Sequence, residues 1–173
     1  VGLLCVLFAF LYTTGPYPLS YNGWGDILVI VFFGFVPVGG TYYVQALTWT
    51  TDITIASLIC GLLIDTLLVV NNYRDREADA RSGKRTVIVR FGEKFGSYLY
   101  LMLGVAASLL CFWFLFEGHL YAALLPLLYL IPHFLTWKRM VRIHSGKKLN
   151  SILGETSRNM LFCLLYTSDA ADE

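Results

Sequence analysis

The chain changes character at Asn71-Asn72-Tyr73-Arg74-Asp75-Arg76-Glu77-Ala78-Asp79, which directly follows the apolar run 53–70. Two carboxylates stand four residues apart in this stretch, and two amides stand side by side. More than half of the thirteen Lys and Arg residues lie between Arg74 and Lys94. Ionisable side chains are costly inside a bilayer, so such a cluster at the end of an apolar segment indicates a functional site.

The rest of the chain is predominantly apolar. Hydrophobic residues make up 57% and charged residues 14%, whereas typical soluble domains are about a quarter charged. Four apolar runs are long enough to cross a hydrocarbon core of about 30 Å. They are residues 27–47, 53–70, 95–116 and 120–137. Residues 1–12 and 152–165 resemble parts of two further helices. The predicted fold is therefore all-α, a polytopic bundle of transmembrane helices.

The distribution of basic residues predicts how the chain is oriented. Every Lys and Arg follows residue 73, in the segments 74–94 and 138–148 and at Arg158. The positive-inside rule places the first two segments in the cytoplasm, and the two intervening helices agree with this parity. Residues 48–52 form a turn on the outer side, where Asp52 is expected to cap the helix that follows.

The two ends of the chain do not resemble natural termini. Residue 1 lies inside an apolar run, without a Met or a basic flank. Residues 163–173 resemble a sequencing-library adapter read in frame, so we expect them to be a non-native tail. Residues 1–162 are then expected to form part of one transmembrane domain.

Helical phase groups the polar residues. If the helix of the run 53–70 continues at 100° per residue, five polar side chains fall within roughly one third of its circumference. They are Asp65, Asn71, Asn72, Asp75 and Asp79. A polar stripe of this kind faces water or an ion rather than lipid. Asp65 lies deeper than the others, and whether it belongs to the site or bonds a neighbouring helix stays open.

This pattern favours a Mg²⁺–diphosphate site at the membrane surface. Mg²⁺ prefers oxygen ligands and is usually bound by one or two carboxylates together with substrate phosphates. Lys84 and Arg85 follow the flexible Gly83, and both side chains suit phosphate oxygens. The structural alternative is a loop of mixed charge that orients the protein and binds anionic lipid headgroups.

Other kinds of site lack support in the sequence. The three His and four Cys residues have no partners at metal-ligand spacing. We therefore expect each Cys to be a packing residue that faces lipid or a helix, and each His to be structural. There is no nucleophile elbow, Walker sequence or Gly-rich dinucleotide loop, and nothing suggests nucleic-acid binding. Gly34 and Pro37 interrupt one apolar run, which favours close helix packing with a kink and also allows a bend that opens a cavity.

The polar motif resembles a known family. Asn71-Asn72-Tyr73-Arg74-Asp75-x-x-x-Asp79, continued by Gly83-Lys84-Arg85-Thr86, is similar to the second Asp-rich motif of the UbiA superfamily of intramembrane prenyltransferases. Upstream, Gly25-Asp26 and Gly40-Thr41-Tyr42-Tyr43-x-Gln45 resemble the branch that prenylates 1,4-dihydroxy-2-naphthoate in menaquinone biosynthesis. The resemblance covers nearly all of residues 1–162.

The resemblance implies a fold and a reaction. The fold is a bundle of nine transmembrane helices in the bacterial inner membrane, which this chain matches from late in the fourth helix to early in the ninth. The bundle opens laterally to the lipid bilayer and has its polar site on the cytoplasmic side. The substrates are a polyprenyl diphosphate and 1,4-dihydroxy-2-naphthoate. Transfer with loss of CO₂ gives demethylmenaquinone.

The resemblance also implies residue roles. The implied Mg²⁺ ligands are Asp75 and Asp79, with Asn72 and Asn71 as further ligands. The implied diphosphate contacts are Lys84, Arg85, Arg74 and Tyr73. The expected catalytic set is Asp75, Asp79 and Lys84. The family's first acidic motif, of the NDxxD kind, does not occur in these 173 residues. We therefore expect this chain alone to be inactive.

Rival functions are less well supported. Within the superfamily, an enzyme for 4-hydroxybenzoate or a haem-type acceptor is an alternative. CDP-alcohol phosphotransferases need a DGxxAR stretch, which does not occur here. An ion-coupled transporter would explain Asp65, but transporters place polar groups near the membrane midplane and contain internal repeats.

Overall fold

The computed structural model describes residues 2–169, with side chains described as far as residue 165. All regular structure in this range is helical. The α-helices are α1 (Gly2–Thr13), α2 (Gly25–Val29), α3 (Gly40–Ala46), α4 (Thr51–Arg81), α5 (Val87–Phe91), α6 (Glu93–Leu110), α7 (Leu120–Leu124), α8 (Pro126–Ile143) and α9 (Asn150–Asp169). A π-helix, Ile30–Gly39, joins α2 to α3. Short 3₁₀ segments are Leu19–Asn22, Cys111–Leu115 and Lys147–Leu149.

Four helical segments are long and apolar enough to cross a membrane. They are Gly25–Ala46, Thr51–Arg81, Glu93–Leu115 and Leu120–Ile143. Each contains or overlaps one of the four apolar runs of the sequence, so the predicted all-α membrane architecture is confirmed. The protein is an integral membrane protein.

Helix α4 is the central element, and it packs against the π-helix, α6 and α9. Two groups of buried apolar residues lie along it. The group nearer the polar motif comprises Val69, Val70, Tyr73, Ile88, Tyr100, Leu103, Met140, Leu149 and Ile152. The other group comprises Ile59, Leu63, Ala107, Cys111, Tyr129 and Cys163.

Glycines allow α4 and the π-helix to approach at backbone distance. A Cβ added to Gly34 would overlap the carbonyl oxygen of Ser57, and one added to Gly61 would lie 2.9 Å from the Cα of Ile30. The close packing predicted at Gly34 is therefore confirmed. Around Pro37 the segment is π-helical, and proline lacks the N–H that an α-helical hydrogen bond there would need.

The start of α4 corrects one expectation. The side chain of Thr50, not that of Asp52, caps the helix by accepting a hydrogen bond from the Ile53 N–H at 3.3 Å. A cap residue must precede the first helical residue in an extended conformation, and Thr50 has φ −110° and ψ 166°. Asp52 instead accepts a hydrogen bond from Trp113 Nε1 at 2.8 Å.

His133 has a structural role in the core. Its Nε2 lies 3.3 Å from the carbonyl oxygen of Leu101, and its Nδ1 lies 2.9 Å from the hydroxyl of Tyr129. The ring stacks on Tyr100 at a centroid distance of 4.5 Å, above Gly104, where a Cβ would collide with it. Both ring nitrogens are thus satisfied, as expected of a buried packing histidine.

Candidate functional site

The polar motif lies on an uninterrupted extension of α4. The helix has 31 residues, which at about 1.5 Å per residue is roughly 46 Å, longer than the hydrocarbon core of about 30 Å. Residues 71–81, here called the polar end of α4, therefore project beyond the membrane-spanning segment by about 16 Å. The predicted continuation of the helix through the motif is confirmed.

Asp75 is held by the adjacent Arg74. The guanidinium donates from Nη2 to Asp75 Oδ2 at 2.5 Å and from Nε to Oδ1 at 2.7 Å. It also donates to Asn71 Oδ1 at 2.7 Å and to Asn150 Oδ1 at 3.0 Å. The hydrogen bonds from Arg74 lower the pKa of the Asp75 carboxyl, on the polar end of α4, below its ordinary value. Asp75 is therefore ionised in the absence of a metal.

Asp79 is held by Lys84 from the next loop. Gly83 adopts the left-handed φ of +77°, which reverses the chain after α4. The Lys84 N–H then donates to the Asp79 carbonyl at 2.9 Å, and Lys84 Nζ lies 3.3 Å from Asp79 Oδ2. The loop thus folds back onto the helix and places an ammonium group beside the second carboxylate.

The segment between α1 and α2, residues 14–24, packs against this loop. The Arg85 N–H donates to the Tyr21 carbonyl at 2.7 Å, and Arg90 Nη2 donates to the Asn22 carbonyl at 2.8 Å. Asn72, which is only 4% exposed, lies in a small polar pocket between the two segments. The residues lining it are Tyr12, Ser20, Gly23, Gly25, Asp26, Asn72, Lys84 and Thr86.

The sequence did not identify every residue at this pocket. Tyr12, Ser20 and Asp26 were not among the predicted site residues, although they line the same pocket as Asn72. Only Asp26 had a signal in the sequence, because it stands in the Gly25-Asp26 pair that carries part of the family resemblance. Tyr12 and Ser20 are brought in by chain folding alone.

Two predicted residues have positions that change their interpretation. Tyr73 is 1% exposed and packs in the core, which favours a packing role, and its predicted contact with the diphosphate stays a prediction. The physical reason for its burial is helical phase, because Tyr73 lies about 200° from Asp75 around α4. Arg85 is exposed, and its backbone rather than its side chain is tied to the neighbouring segment.

Asp65 does not join the polar end of α4. Its side chain is buried at 1% exposure, and Oδ1 lacks a hydrogen-bond partner among the described residues. It lies close enough to Asp26 for the two carboxyl groups to interact electrostatically. Asp65 Oδ1 therefore makes no hydrogen bond to a neighbouring helix among the described residues.

The donor set at the polar end of α4 fits a divalent cation that is shared with phosphate. Asp75 and Asp79 offer carboxylate oxygens on one helix face, and Asn72 lies on the same face. Among residues 2–165, no group of three or more His, Cys, Asp or Glu side chains is placed to hold a metal ion. Mg²⁺ is commonly bound by one or two carboxylates together with phosphates, so the chemistry of these residues suits part of such a site.

An apolar cavity of about 560 Å³ lies beside the polar pocket, between α1 and the segment formed by α2 and the π-helix. Tyr12 lines both spaces. The other lining residues are Cys5, Phe8, Ala9, Leu28, Val29, Phe32, Phe33 and Leu68. A polar pocket that adjoins an apolar cavity suits a molecule with one charged end and one apolar end.

These features define a helical membrane protein with an acidic and basic site at one end of its bundle. Residues 1–160 match the UbiA prenyltransferase family, and the chain belongs to that family. UbiA prenyltransferases are generally dependent on a divalent metal. No solved structure matches the chain.

Individual relatives agree with this membership. The chain is 44% identical over 113 residues to a 1,4-dihydroxy-2-naphthoate octaprenyltransferase of Haemophilus influenzae, covering 65% of this chain and 36% of the relative. It is 42% identical over 112 residues to the protein of that name from Mycobacterium tuberculosis, covering 65% and 38%. It is 30% identical over 151 residues to UbiA prenyltransferase domain-containing protein 1 of Dictyostelium discoideum, covering 87% and 44%. The chain thus spans a third to a half of the length of these relatives.

Proposed function

We propose that the whole protein transfers a polyprenyl group from polyprenyl diphosphate to 1,4-dihydroxy-2-naphthoate, with loss of CO₂, to give the reduced, quinol form of demethylmenaquinone. The observation that carries this proposal is the pair Asp75 and Asp79 on one face of the polar end of α4, with Lys84 beside the second carboxylate at 3.3 Å. The naphthoate acceptor is supported by the names of several relatives at 41–44% identity.

In this proposal the polar end of α4 binds the diphosphate through a shared Mg²⁺. Asp75 and Asp79 would hold the ion, with oxygens from Asn72 or Asn71. Bound Mg²⁺ supplies positive charge that stabilises the departing diphosphate. Asn71 is the weaker of the two amide candidates, because its Oδ1 already accepts a hydrogen bond from Arg74.

The cations of the site act on the same leaving group. Lys84 and Arg85 bind diphosphate oxygens, and Arg74 orients Asp75 while adding positive charge. The allylic C–O bond breaks, and its electron pair leaves with the diphosphate. The carbon of the electron-rich naphthoate ring that bears the carboxylate forms the new C–C bond to the allylic carbon. The ring carboxylate departs as CO₂, and its bonding electron pair returns to the ring.

The remainder of the substrate is apolar and fits the membrane-embedded part of the bundle. We place the start of the prenyl chain in the apolar cavity beside Tyr12, because that cavity adjoins the polar pocket containing Asn72 and Lys84. We further propose that the site lies on the cytoplasmic face of the bacterial inner membrane, and the basic segments support the cytoplasmic side through the positive-inside rule.

The test is substitution of the two carboxylates in the whole protein. Asp75→Asn and Asp79→Asn each remove one negative oxygen donor, so we expect Mg²⁺-dependent prenyl transfer to fall at least about 100-fold. The protein should still insert into membranes. Glu77→Gln is the matched control, because Glu77 is exposed and lies about 200° from Asp75 around the helix. Full activity in either Asn variant would contradict the proposed site.

The acceptor is tested separately. Purified whole protein in lipid vesicles is given labelled polyprenyl diphosphate with 1,4-dihydroxy-2-naphthoate or with 4-hydroxybenzoate. We expect product and CO₂ with the naphthoate alone, and no product after Mg²⁺ is removed by EDTA. Product with 4-hydroxybenzoate and not with the naphthoate would assign the protein to another branch of the family.

A further inference from the structure

Arg74 is bonded on two sides, and one of its partners comes from a distant part of the chain. Its Nε and Nη2 engage Asp75 and Asn71, both on α4. Its Nη1 donates to Asn150 Oδ1 at 3.0 Å, across 76 positions of sequence. The guanidinium is planar, so partners on both its edges fix its rotation about the side-chain axis.

The backbone position of Asn150 is fixed by its buried neighbours, so its side chain can hold the Arg74 guanidinium. It is the first residue of α9, and the residues around it, Leu149 and Ile152, are fully buried. Both belong to the group of core residues that includes Val70 and Tyr73 of α4. The backbone at residue 150 is therefore anchored to the same part of α4 that carries Arg74.

We propose that Asn150 is a positioning residue of the metal site, acting through Arg74. By holding Nη1, it keeps the guanidinium in the plane of the Asp75 carboxylate, and so keeps that carboxylate turned toward the face it shares with Asp79. An ionised carboxylate has about four lone-pair positions, so a bidentate Arg leaves oxygen positions free for a cation. This inference rests on the proposed function, since it assumes that Asp75 binds Mg²⁺.

The attachment of α4 to its neighbours does not depend on Asn150. On the other side of the helix, Arg76 donates to Glu93 Oε2 at 3.0 Å and to the Tyr73 carbonyl at 2.7 Å. Glu93 Oε1 lies 2.9 Å from His144 Nδ1. Loss of the Asn150 side chain should therefore leave the polar end of α4 in place while releasing one edge of Arg74.

The experiment uses the whole protein in lipid nanodiscs, with Mn²⁺ as a spectroscopic substitute for Mg²⁺ and inorganic diphosphate present. Electron paramagnetic resonance measures free Mn²⁺ and hence its affinity. Groups that orient a metal ligand typically contribute 10–100-fold to metal affinity, so we expect Asn150→Ala to weaken Mn²⁺ binding by about tenfold or more. Asn150→Asp keeps an oxygen that accepts from Arg74, and it should bind Mn²⁺ nearly as the unaltered protein does.

Ser151→Ala is the matched control, because Ser151 is exposed, adjacent, and donates to the Lys148 carbonyl rather than to α4. In prenyl transfer, Asn150→Ala should raise the Mg²⁺ concentration needed for half-maximal rate, with turnover restored at saturating Mg²⁺. Combining it with Arg74→Ala should add little to the effect of Arg74→Ala alone, because Asn150 acts through that side chain.

Three results would overturn the inference. They are unchanged Mn²⁺ affinity in Asn150→Ala, an equal loss in Ser151→Ala, and failure of Asn150→Asp to restore binding. No organic substrate takes part in the Mn²⁺ measurement, so the outcome is separable from that of the proposed function. A protein that shows the Asn150 effect but does not prenylate the naphthoate would refute the proposed function and support the positioning role.

Discussion

Asp75 and Asp79 each lie against a cation from their own chain, Arg74 and Lys84. Two carboxylates four residues apart on a helix repel each other, and these contacts offset that repulsion while no metal is bound. The two cations differ in kind. Arg74 is held by several hydrogen bonds. Lys84 Nζ lies farther from its partner, at 3.3 Å from Asp79 Oδ2, and Lys84 follows Gly83 in the loop after α4. Lys84 is therefore the better placed of the two to turn from Asp79 to an incoming diphosphate.

Tyr73 is a residue for which motif position and helical phase favour different roles. The helical phase that correctly grouped Asn72, Asp75 and Asp79 also places Tyr73 on the opposite face. It was assigned to the diphosphate because it stands inside the motif, and not because of its position around the helix. Its burial among core residues, with Arg76 stacked 4.7 Å from its ring centroid, supports a packing role.

Substitution of Tyr73 distinguishes packing from substrate binding. Tyr73→Phe removes only the hydroxyl, so we expect the KM for polyprenyl diphosphate to stay unchanged. Tyr73→Ala leaves a cavity and should reduce the free energy of unfolding by about 3–5 kcal/mol, the usual range for loss of a large aromatic side chain from a core. Steady-state kinetics and thermal unfolding of the whole protein in detergent check both expectations. A severalfold rise in KM for Tyr73→Phe, with unchanged stability, would contradict the packing role and support contact of Tyr73 with the diphosphate.

Among the elements, α4 was the most predictable from sequence, and the segment before it the least. The length of the apolar run and the angular positions of the polar residues around the helix were enough to predict that α4 runs through the motif. Both are local properties of one helix. The π-helix Ile30–Gly39 has no such signal. Its form depends on the missing N–H of Pro37 together with the close approach of Gly34 to α4, which is a tertiary contact.

Close packing between α4 and the π-helix predicts that alanine substitution affects stability very differently at Gly61 and at Gly40. In Gly61→Ala the new methyl group would lie 2.9–3.0 Å from backbone atoms of Ile30, so the helices must separate. Overpacking of this kind typically costs about 1–3 kcal/mol. A Cβ at Gly40 meets no atom within 4 Å, so Gly40→Ala should be neutral or slightly stabilising. Thermal unfolding of the purified variants provides the measurement, and equal stability of the two variants would argue against backbone contact at Gly61.

At the scale of the whole molecule, the sequence was sufficient to predict the four apolar spans. The side of the membrane on which each loop lies stays a prediction. The polar end of α4, the loop after it and the start of α9 were expected on one face from the positions of Lys and Arg, and contacts such as Arg74–Asn150 agree with that grouping. The partners themselves were not predictable. Hydrogen bonds that join Arg90 to Asn22 or Arg74 to Asn150 link positions 68 and 76 residues apart, and neither periodicity nor motif spacing carries information about them.

The composition of the site predicts how this chain behaves alone. Asp75 and Asp79 supply two carboxylates, and no group of three or more His, Cys, Asp or Glu side chains that could hold a metal ion occurs among residues 2–165. The 1,4-dihydroxy-2-naphthoate octaprenyltransferases it resembles are two to three times as long as the matching region. A diphosphate that carries several negative charges needs more compensation than this one cluster provides, so we expect the 173-residue chain to show no prenyl transfer.

The measurement compares the isolated chain with the whole protein in vesicles of the same lipid, with labelled polyprenyl diphosphate, 1,4-dihydroxy-2-naphthoate and Mg²⁺. The whole protein carrying Asp75→Asn sets the background rate. Circular dichroism of the isolated chain establishes that it is helical, so that inactivity reflects missing ligands rather than lack of folding. Turnover by the isolated chain above the background would mean that the polar end of α4, with Lys84 and Arg85, holds the diphosphate without any further acidic motif.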